Sequence, residues 1–237
     1  MARFTSEYPV FYVTVDVVLL ALRNDHLHVL VVERGEEPFL GRPALPGGFV
    51  HAGEDLDDAA RRELVEETGV SAEGLVLEQL RTFGTPGRDP RPHRVVSVAH
   101  LAVTAHPDTR PQGGSDAASA CWARVDQVAG TLAFDHDEIL ATARERITSK
   151  LEYTPLAAAF LPPEFTLAQL RGVYEAVWGL RIDPGNFQRK LRACTDFVAP
   201  TDRTTIPPGG RGRPARLFRP VGDPLTPLAS PIVRSAM

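Results

Sequence analysis

Only two cysteines occur among 237 residues, Cys121 and Cys194, and they stand apart without metal-ligand spacing. A disulfide framework and a thiolate metal site are therefore not expected, and both read as buried thiols. No apolar run reaches the length of a membrane span, and the opening MARFTSEYP lacks the charged-then-apolar pattern of a secretory leader. The expectation is a cytoplasmic protein with no membrane partner. Hydrophobic residues make up 43% of the chain, enough core for one full domain and a smaller one. Charge is unevenly shared. Residues 166–237 carry 11 Arg or Lys against 5 Asp or Glu, a net +6, which leaves −10 for the rest of a chain whose total is −4. The two parts face different partners.

Residues 48–70 read GFVHAGEDLDDAARRELVEETGV. Asp55 is placed to accept from the free N–H groups of a first helical turn, Asp57 and Asp58 stand where the helix dipole favours negative charge, and Gly69 supplies a left-handed end. Leu56, Ala60 and Leu64 recur every four residues as one apolar stripe, while Glu63, Glu66 and Glu67 crowd another side at i, i+3, i+4. In an ordinary surface helix such a triplet is merely solvated. Here only Arg62 offers a local pair, at i, i+4 to Glu66. The remaining charge suits Mg²⁺ or Mn²⁺, hard cations that take carboxylate oxygens together with substrate phosphates. Such a metal polarises a phosphoryl oxygen and generates hydroxide from water.

Gly48, five residues, Glu54, seven residues, then Arg62-Glu63-Leu64-x-Glu66-Glu67-x-Gly69-Val70 resembles the Nudix box at every specified position. The resemblance to the Nudix hydrolase superfamily implies an α/β/α sandwich that cleaves nucleoside diphosphates linked to another group. It implies that Glu63, Glu66 and Glu67 hold divalent metal and that Glu63 or a neighbour acts as base toward water. By the same resemblance Arg62 orients the glutamates, the carbonyl of Gly47 is a further metal ligand, and one more ligand comes from outside the box.

Around the box, Phe11–Leu22, His28–Val32, Ala44–Val50, Leu75–Phe83, Arg94–Val103 and Ala120–Val125 read as strands, with helices at 55–68 and about 135–149. That pattern gives a mixed sheet covered on its faces. Residues 1–149 form this first domain. Thr82 to Pro92 combine turn formers with Arg88 and Arg91, and an arginine fork suits phosphate. With Arg34 after the second strand these are the candidate ligand residues, the other reading being surface arginines in a Pro-rich turn. The segment resembles the loop of Nudix proteins that handle ADP-ribose, with His100 departing from the aromatic expected in the next strand. His136, between two aspartates, reads as a capping or surface residue rather than a catalytic one.

A second domain covers residues 150–220. Leu151–Phe160 is a short helical run ended by Pro162 and Pro163. Thr166 with Gln169 forms a capping box, Phe165 against Leu170 the matching staple, and the helix ends at Gly179. Asp183 and Pro184 then start another helix through about Ala193. Its apolar side is Phe187, Leu191 and Cys194, and Arg189 and Arg192 face outward, flanked by Asn186, Gln188 and Lys190. This fits a recognition helix in the major groove, where Arg reads guanine and Asn or Gln adenine. Phe197–Pro200 and Pro214–Arg219 read as strands around the tip IPPGGRGR, whose Arg211 and Arg213 reach phosphate or minor groove. The whole is a winged helix-turn-helix, against the alternative of a basic but purely structural helical domain. Residues 221–237 form a Pro-rich tail without helical or strand period, expected to be mobile or loosely packed.

KLEYTPLAAAF, FTLAQLRGVYEAVWG, DPGNFQRKLRAC and GRPARLFR behind a Nudix box resemble the Nudix-related transcriptional regulators of NAD metabolism over roughly residues 8–220. The resemblance implies a homodimer that binds double-stranded operator DNA of NAD biosynthesis genes and releases it when ADP-ribose occupies the Nudix domain. Regulators of this kind often have a damaged box, whereas every glutamate is present here. Two readings follow: a ligand-sensing repressor with hydrolysis chemically permitted, or a Mg²⁺-dependent ADP-ribose pyrophosphatase with a basic appendage. The sequence favours the repressor.

Overall fold

The computed structural model describes residues 7–105, 117–206 and 214–234. Seven strands build one mixed sheet: β1 Phe11–Arg23, β2 His26–Arg34, β3 Pro43–Ala44, β4 Gly47–Phe49, β5 Val76–Phe83, β6 Arg94–Thr104 and β7 Ala117–Arg124. Its main path runs β3-β2-β1-β6-β5, with β4 also on β1 and β7 on β2. Strand β1 runs parallel to β6 and antiparallel to β2 and β4.

Alternation along β1 sorts the two faces. Val15, Val17 and Leu19 pack with Ala59, Ala60 and Leu64 of helix α1 (Leu56–Thr68), whereas Val18 and Leu20 pack with Ile139, Leu140, Ala143 and Ile147 of α3 (His136–Tyr153). The expected α/β/α sandwich is therefore present. A short helix α2 (Val125–Val128) joins β7 to the segment before α3.

The strand expected at Ala44–Val50 is two strands. β3 pairs with β2 and β4 with β1, and Leu45-Pro46 makes the crossing. Pro46 has no N–H for a ladder, and its carbonyl instead accepts from Val17. Likewise α3 runs on to Tyr153, absorbing the start of the expected Leu151–Phe160 helix. Thr154 then caps a separate 3-10 turn, Pro155–Phe160, by accepting from the N–H of Leu156.

Helices α4 (Leu167–Trp178) and α5 (Pro184–Ala193) and a hairpin of β8 (Val198–Thr205) and β9 (Ala215–Pro220) form the winged unit. Both halves of the Thr166–Gln169 capping box are made, and Gly179 ends α4 in the left-handed region, at φ +65°. Phe165, Leu170, Tyr174, Phe187, Leu191 and Phe197 fill a core continuous with that of α3.

The tail is a correction to the sequence reading. Leu228 and Ile232 are buried in this core. Backbone N–H groups of Leu228 and Ile232 donate to Tyr153 and Glu152 at 2.7 and 2.8 Å. Isolated apolar residues held by backbone bonds leave no periodic trace. Among the described residues no helix is long and apolar enough to cross a membrane.

Candidate functional site

Helix α1 starts as expected: the Asp55 carboxylate accepts from the N–H of Asp57, and Gly69 closes the helix at φ +67°. Its three glutamates do not share one environment. Glu63 and Glu67 are buried and Glu66 is exposed. Arg62 holds more than the single partner expected: its guanidinium donates to Glu54 (2.7 and 2.9 Å), Glu63 (2.7 Å), Glu66 (3.0 Å) and the carbonyl of Phe49 (3.1 Å). The bond from Arg62, with a second from the His51 N–H, holds the Glu54 carboxyl down at about 2. Conversely Glu54 first, then Glu63 and Glu66, raise the Arg62 guanidinium.

Glu67 accepts from the N–H of Gly47 at 2.8 Å, fixing the loop to the helix. That loop requires glycine for close approach: a Cβ at Gly48 would collide with the Glu63 carboxylate, and one at Gly47 with the carbonyl of Val15 and with Asp16. As donors, the glutamates and the Gly47 carbonyl are hard oxygens of the kind Mg²⁺ or Mn²⁺ takes. In this conformation Arg62 and Gly47 engage the carboxylates, and among the described residues no three acidic, imidazole or thiol groups converge as a metal cluster. A cation entering here has to take carboxylates over from Arg62.

Beside the box opens a cleft that Gly47, Gly48 and Glu67 share with Arg34, Arg88 and Arg91. All three candidate ligand arginines are therefore brought to one place, but in different states. Arg34 donates to the carbonyls of Pro38 and Glu36 and lies over the Phe134 ring, 4.8 Å from its centroid. Arg91, bound to Asp89, stands between Phe49 and Phe134 at 5.0 and 5.8 Å from their rings. The Arg88 side chain is only 5% exposed and forks onto Asp135 at 2.8 and 2.6 Å, with Asp16 at 3.4 Å. It is a strut under the cleft.

His136 corrects the sequence reading. It is buried, neither a cap nor a surface residue. Its Nδ1 accepts from the N–H of Leu45 at 2.9 Å and its Nε2 lies 3.3 Å from Asp16 Oδ1. Burial acts upward on the Asp16 carboxyl, and His136 when protonated, the Arg88 charge and the Ser97 hydroxyl overcome it, holding the group at about 2. Asp16 escaped sequence reasoning because its partners are remote in sequence. So did Phe134 and Phe39, whose rings meet edge to face at 4.8 Å from backbones in the left-handed region, at φ +55° and +70°. The aspartate within the stretch Val15–Leu22 of β1, otherwise apolar, was the available signal.

His100 is buried in β6, its Nε2 3.1 Å from Asp57, and so ties the sheet to the first turn of α1. Cys194 is buried and its thiol donates to the Ser230 carbonyl at 2.9 Å. Cys121 is exposed, against expectation, on β7, which among the described residues pairs with β2 alone.

In the winged unit Asp183 caps α5 by accepting from the N–H of Asn186, and Phe187 and Leu191 are buried. Gln188, Arg189 and Arg192 are exposed, with Asn186 and Lys190 half-buried at the margins of that face. Arg189 donates to the Asn186 amide oxygen. The five α5 residues expected at DNA thus share one helix. Arg211 and Arg213 lie outside the described residues.

The Nudix domain family model matches residues 13–143, and that of the NrtR DNA-binding winged helix domain matches residues 157–219. Over 217 residues the chain is 34% identical to the ADPR responsive transcriptional repressor NtrR of Acinetobacter baylyi, covering 90% of this chain and 84% of that protein. The chain belongs to the NrtR family. A crystal structure of Shewanella oneidensis NrtR complexed with a 27mer DNA is similar to this NrtR-family chain with a TM-score of 0.78 and 31% identity, covering 93% of this chain and 99% of that one. The Nudix domain of the same Shewanella protein complexed with ADP-ribose matches at a TM-score of 0.54 and 34% identity, over 59% of this chain and 90% of that domain.

Proposed function

We propose that this NrtR-family chain is a cytoplasmic transcriptional repressor of NAD biosynthesis genes that binds operator DNA as a homodimer and releases it when ADP-ribose or a related nucleotide enters the Nudix cleft. One observation carries the reading. A single chain joins a cleft of arginines and aromatic rings beside the Nudix box to a capped helix whose Gln188, Arg189 and Arg192 are turned to solvent. The match along 93% of the chain to a DNA-bound NrtR supports it.

Labour divides between residues 1–149, which take the nucleotide, and 150–220, which take the duplex. In the cleft Arg34 and Arg91 meet phosphate, and a planar ring that displaces Arg91 stacks on Phe49. On α5, Arg189 and Arg192 read guanine and Asn186 and Gln188 adenine, with Lys190 and the tip arginines Arg211 and Arg213 on the backbone.

An intact box favours a second activity, hydrolysis of the bound nucleotide to AMP and ribose 5-phosphate. Glu63, Glu66, Glu67 and the Gly47 carbonyl would hold Mg²⁺ or Mn²⁺, which would supply Lewis acidity and a lowered water pKa. Arg62 then orients the glutamates, and Glu63 or a neighbour takes the proton from water.

The test is a gel shift on DNA upstream of the organism's NAD genes, with and without ADP-ribose and Mg²⁺, with AMP assayed in the same tubes. A shift that ADP-ribose reverses, and that weakens steeply with salt, supports the repressor. AMP without a shift assigns the chain to the enzymes instead.

A further inference from the structure

We propose that helix α3 is the mechanical link carrying cleft occupancy to the DNA-facing helix, with the Arg88–Asp135 pair as its grip on the cleft. The inference rests on the preceding reading that the cleft takes ADP-ribose and α5 takes DNA.

At its near end α3 begins inside the cleft wall. Asp135 is gripped by Arg88, and His136 is bonded to the N–H of Leu45 and faces Asp16. Phe134, the residue before, lines the cleft in a left-handed conformation (φ +55°) that an aromatic side chain adopts only when its surroundings impose it. Arg88 and Arg91 share one loop, and that loop continues strand β5. β5 is an edge strand of the main path, paired among the described residues with β6 alone, and it is bonded to α3 along its length. Arg81 pairs with Glu138 at 3.1 Å, the carbonyl of Leu80 accepts from Arg146 at 2.8 Å, and Glu78 pairs with Lys150. Loop, edge strand and helix therefore form one body, and a ligand that displaces Arg91 or Phe134 pushes on both of its ends in the cleft.

At its far end α3 is fastened to the winged unit. The carbonyl of Thr148 accepts from the Trp178 indole N–H at 3.1 Å, and the carbonyls of Glu152 and Tyr153 accept from Ile232 and Leu228. Trp178 packs edge-on against Tyr174 at 4.8 Å, and Tyr174 against Phe187 of α5 at 5.5 Å. Phe187 is on the buried side of the helix that presents Arg189 outward. Eighteen helical residues span about 27 Å at 1.5 Å per residue. A stiff helix gripped at both ends is a physical element that both sites bias, which is what coupling at such a range requires.

Two substitutions, one at each end of the link, separate this idea from the function it rests on. Asp135→Asn weakens the near grip and Trp178→Phe removes the far hydrogen bond while keeping an aromatic ring in the core. Anisotropy of a labelled duplex that the wild-type chain shifts is measured with and without saturating ADP-ribose, and calorimetry gives the ADP-ribose Kd. In the wild type, ADP-ribose weakens the duplex by a factor within about 5- to 150-fold, and the duplex weakens ADP-ribose by the same factor. Trp178→Phe, remote from the cleft, keeps the ligand-free duplex Kd and the free-protein ADP-ribose Kd; in both variants the factor, taken against each variant's own two Kd values, falls toward one. Should one variant fail to give a cooperative melt, the other decides. Variants coupled as strongly as the wild type overturn the α3 link and leave the repressor standing. A wild type that binds both partners with no effect of either on the other overturns both.

Discussion

The guanidinium of Arg88 grips the carboxylate of Asp135 through two nitrogens, at 2.8 and 2.6 Å, in a part of the cleft wall almost closed to water. Burial pulls the Arg88 pKa down, and Asp135 and Asp16 more than restore it, leaving it raised. Arg88→Ala strands two aspartates next to each other without their cation. Removing one partner of a buried pair costs about 3–5 kcal/mol. Urea unfolding reads this as a lower midpoint, and Arg88→Lys recovers only part of it because an ammonium cannot fork. A surface arginine would instead leave the midpoint unmoved.

Asp16 makes a pH prediction. Its folded pKa of about 2 lies below the model-peptide value of 3.8, so the group stabilises the fold above pH 3.8 and loses that contribution as pH falls toward 2. At about 1.4 kcal/mol per unit the contribution is about 2 kcal/mol. Wild type and Asp16→Asn, each unfolded in urea at several pH values, converge in stability between pH 4 and 2. Parallel curves over that window refute the assignment.

On α5, Arg189→Ala removes an exposed side chain whose one described intramolecular bond is to Asn186. Loss of a base-reading arginine costs about 1–3 kcal/mol, so operator affinity at fixed salt drops by about 5- to 150-fold while the melting temperature holds. Unchanged affinity moves the recognition surface off this helix.

Glu66→Gln tests hydrolysis. The side chain is exposed and its carboxylate pairs with Arg62 at 3.0 Å, so the amide preserves shape and removes charge. Where AMP release is detectable in the wild type, it falls by about 10²-fold, a usual loss for an acid-base or metal-binding carboxylate. Glu67→Gln behaves alike and also weakens the bond from the Gly47 N–H, so it lowers stability as well. Full turnover in both variants places the chemistry outside the box.

How far the sequence was readable depended on the range of the interactions. Helix α1 was legible because Asp55, the glutamates, Gly69 and the apolar stripe all act within a few residues of one another, and so was the Thr166–Gln169 cap. The fork from Arg62 to Glu54 reaches outside the helix and was missed, although both residues were singled out by spacing. The Asp16–His136 contact joins β1 to α3 across the whole first domain, and local pattern carries no information about it. For Arg88 the residue type pointed to an anion and to the cleft it lines, but local pattern gave no sign that Asp135 and Asp16 of the protein itself also hold it. The tail was opaque for another reason: its anchors are backbone N–H groups, which every non-proline residue possesses.

Because the Cys194 sulfur is tucked under Ser230 while Cys121 is open to solvent, the two thiols form a ready-made clock. A maleimide labels the exposed position, Cys121, first, although burial and Glu33 hold its thiol pKa up, and reaches the second only during moments when the C-terminal strap has lifted. The slow rate measures how often that happens, with no engineered probe required.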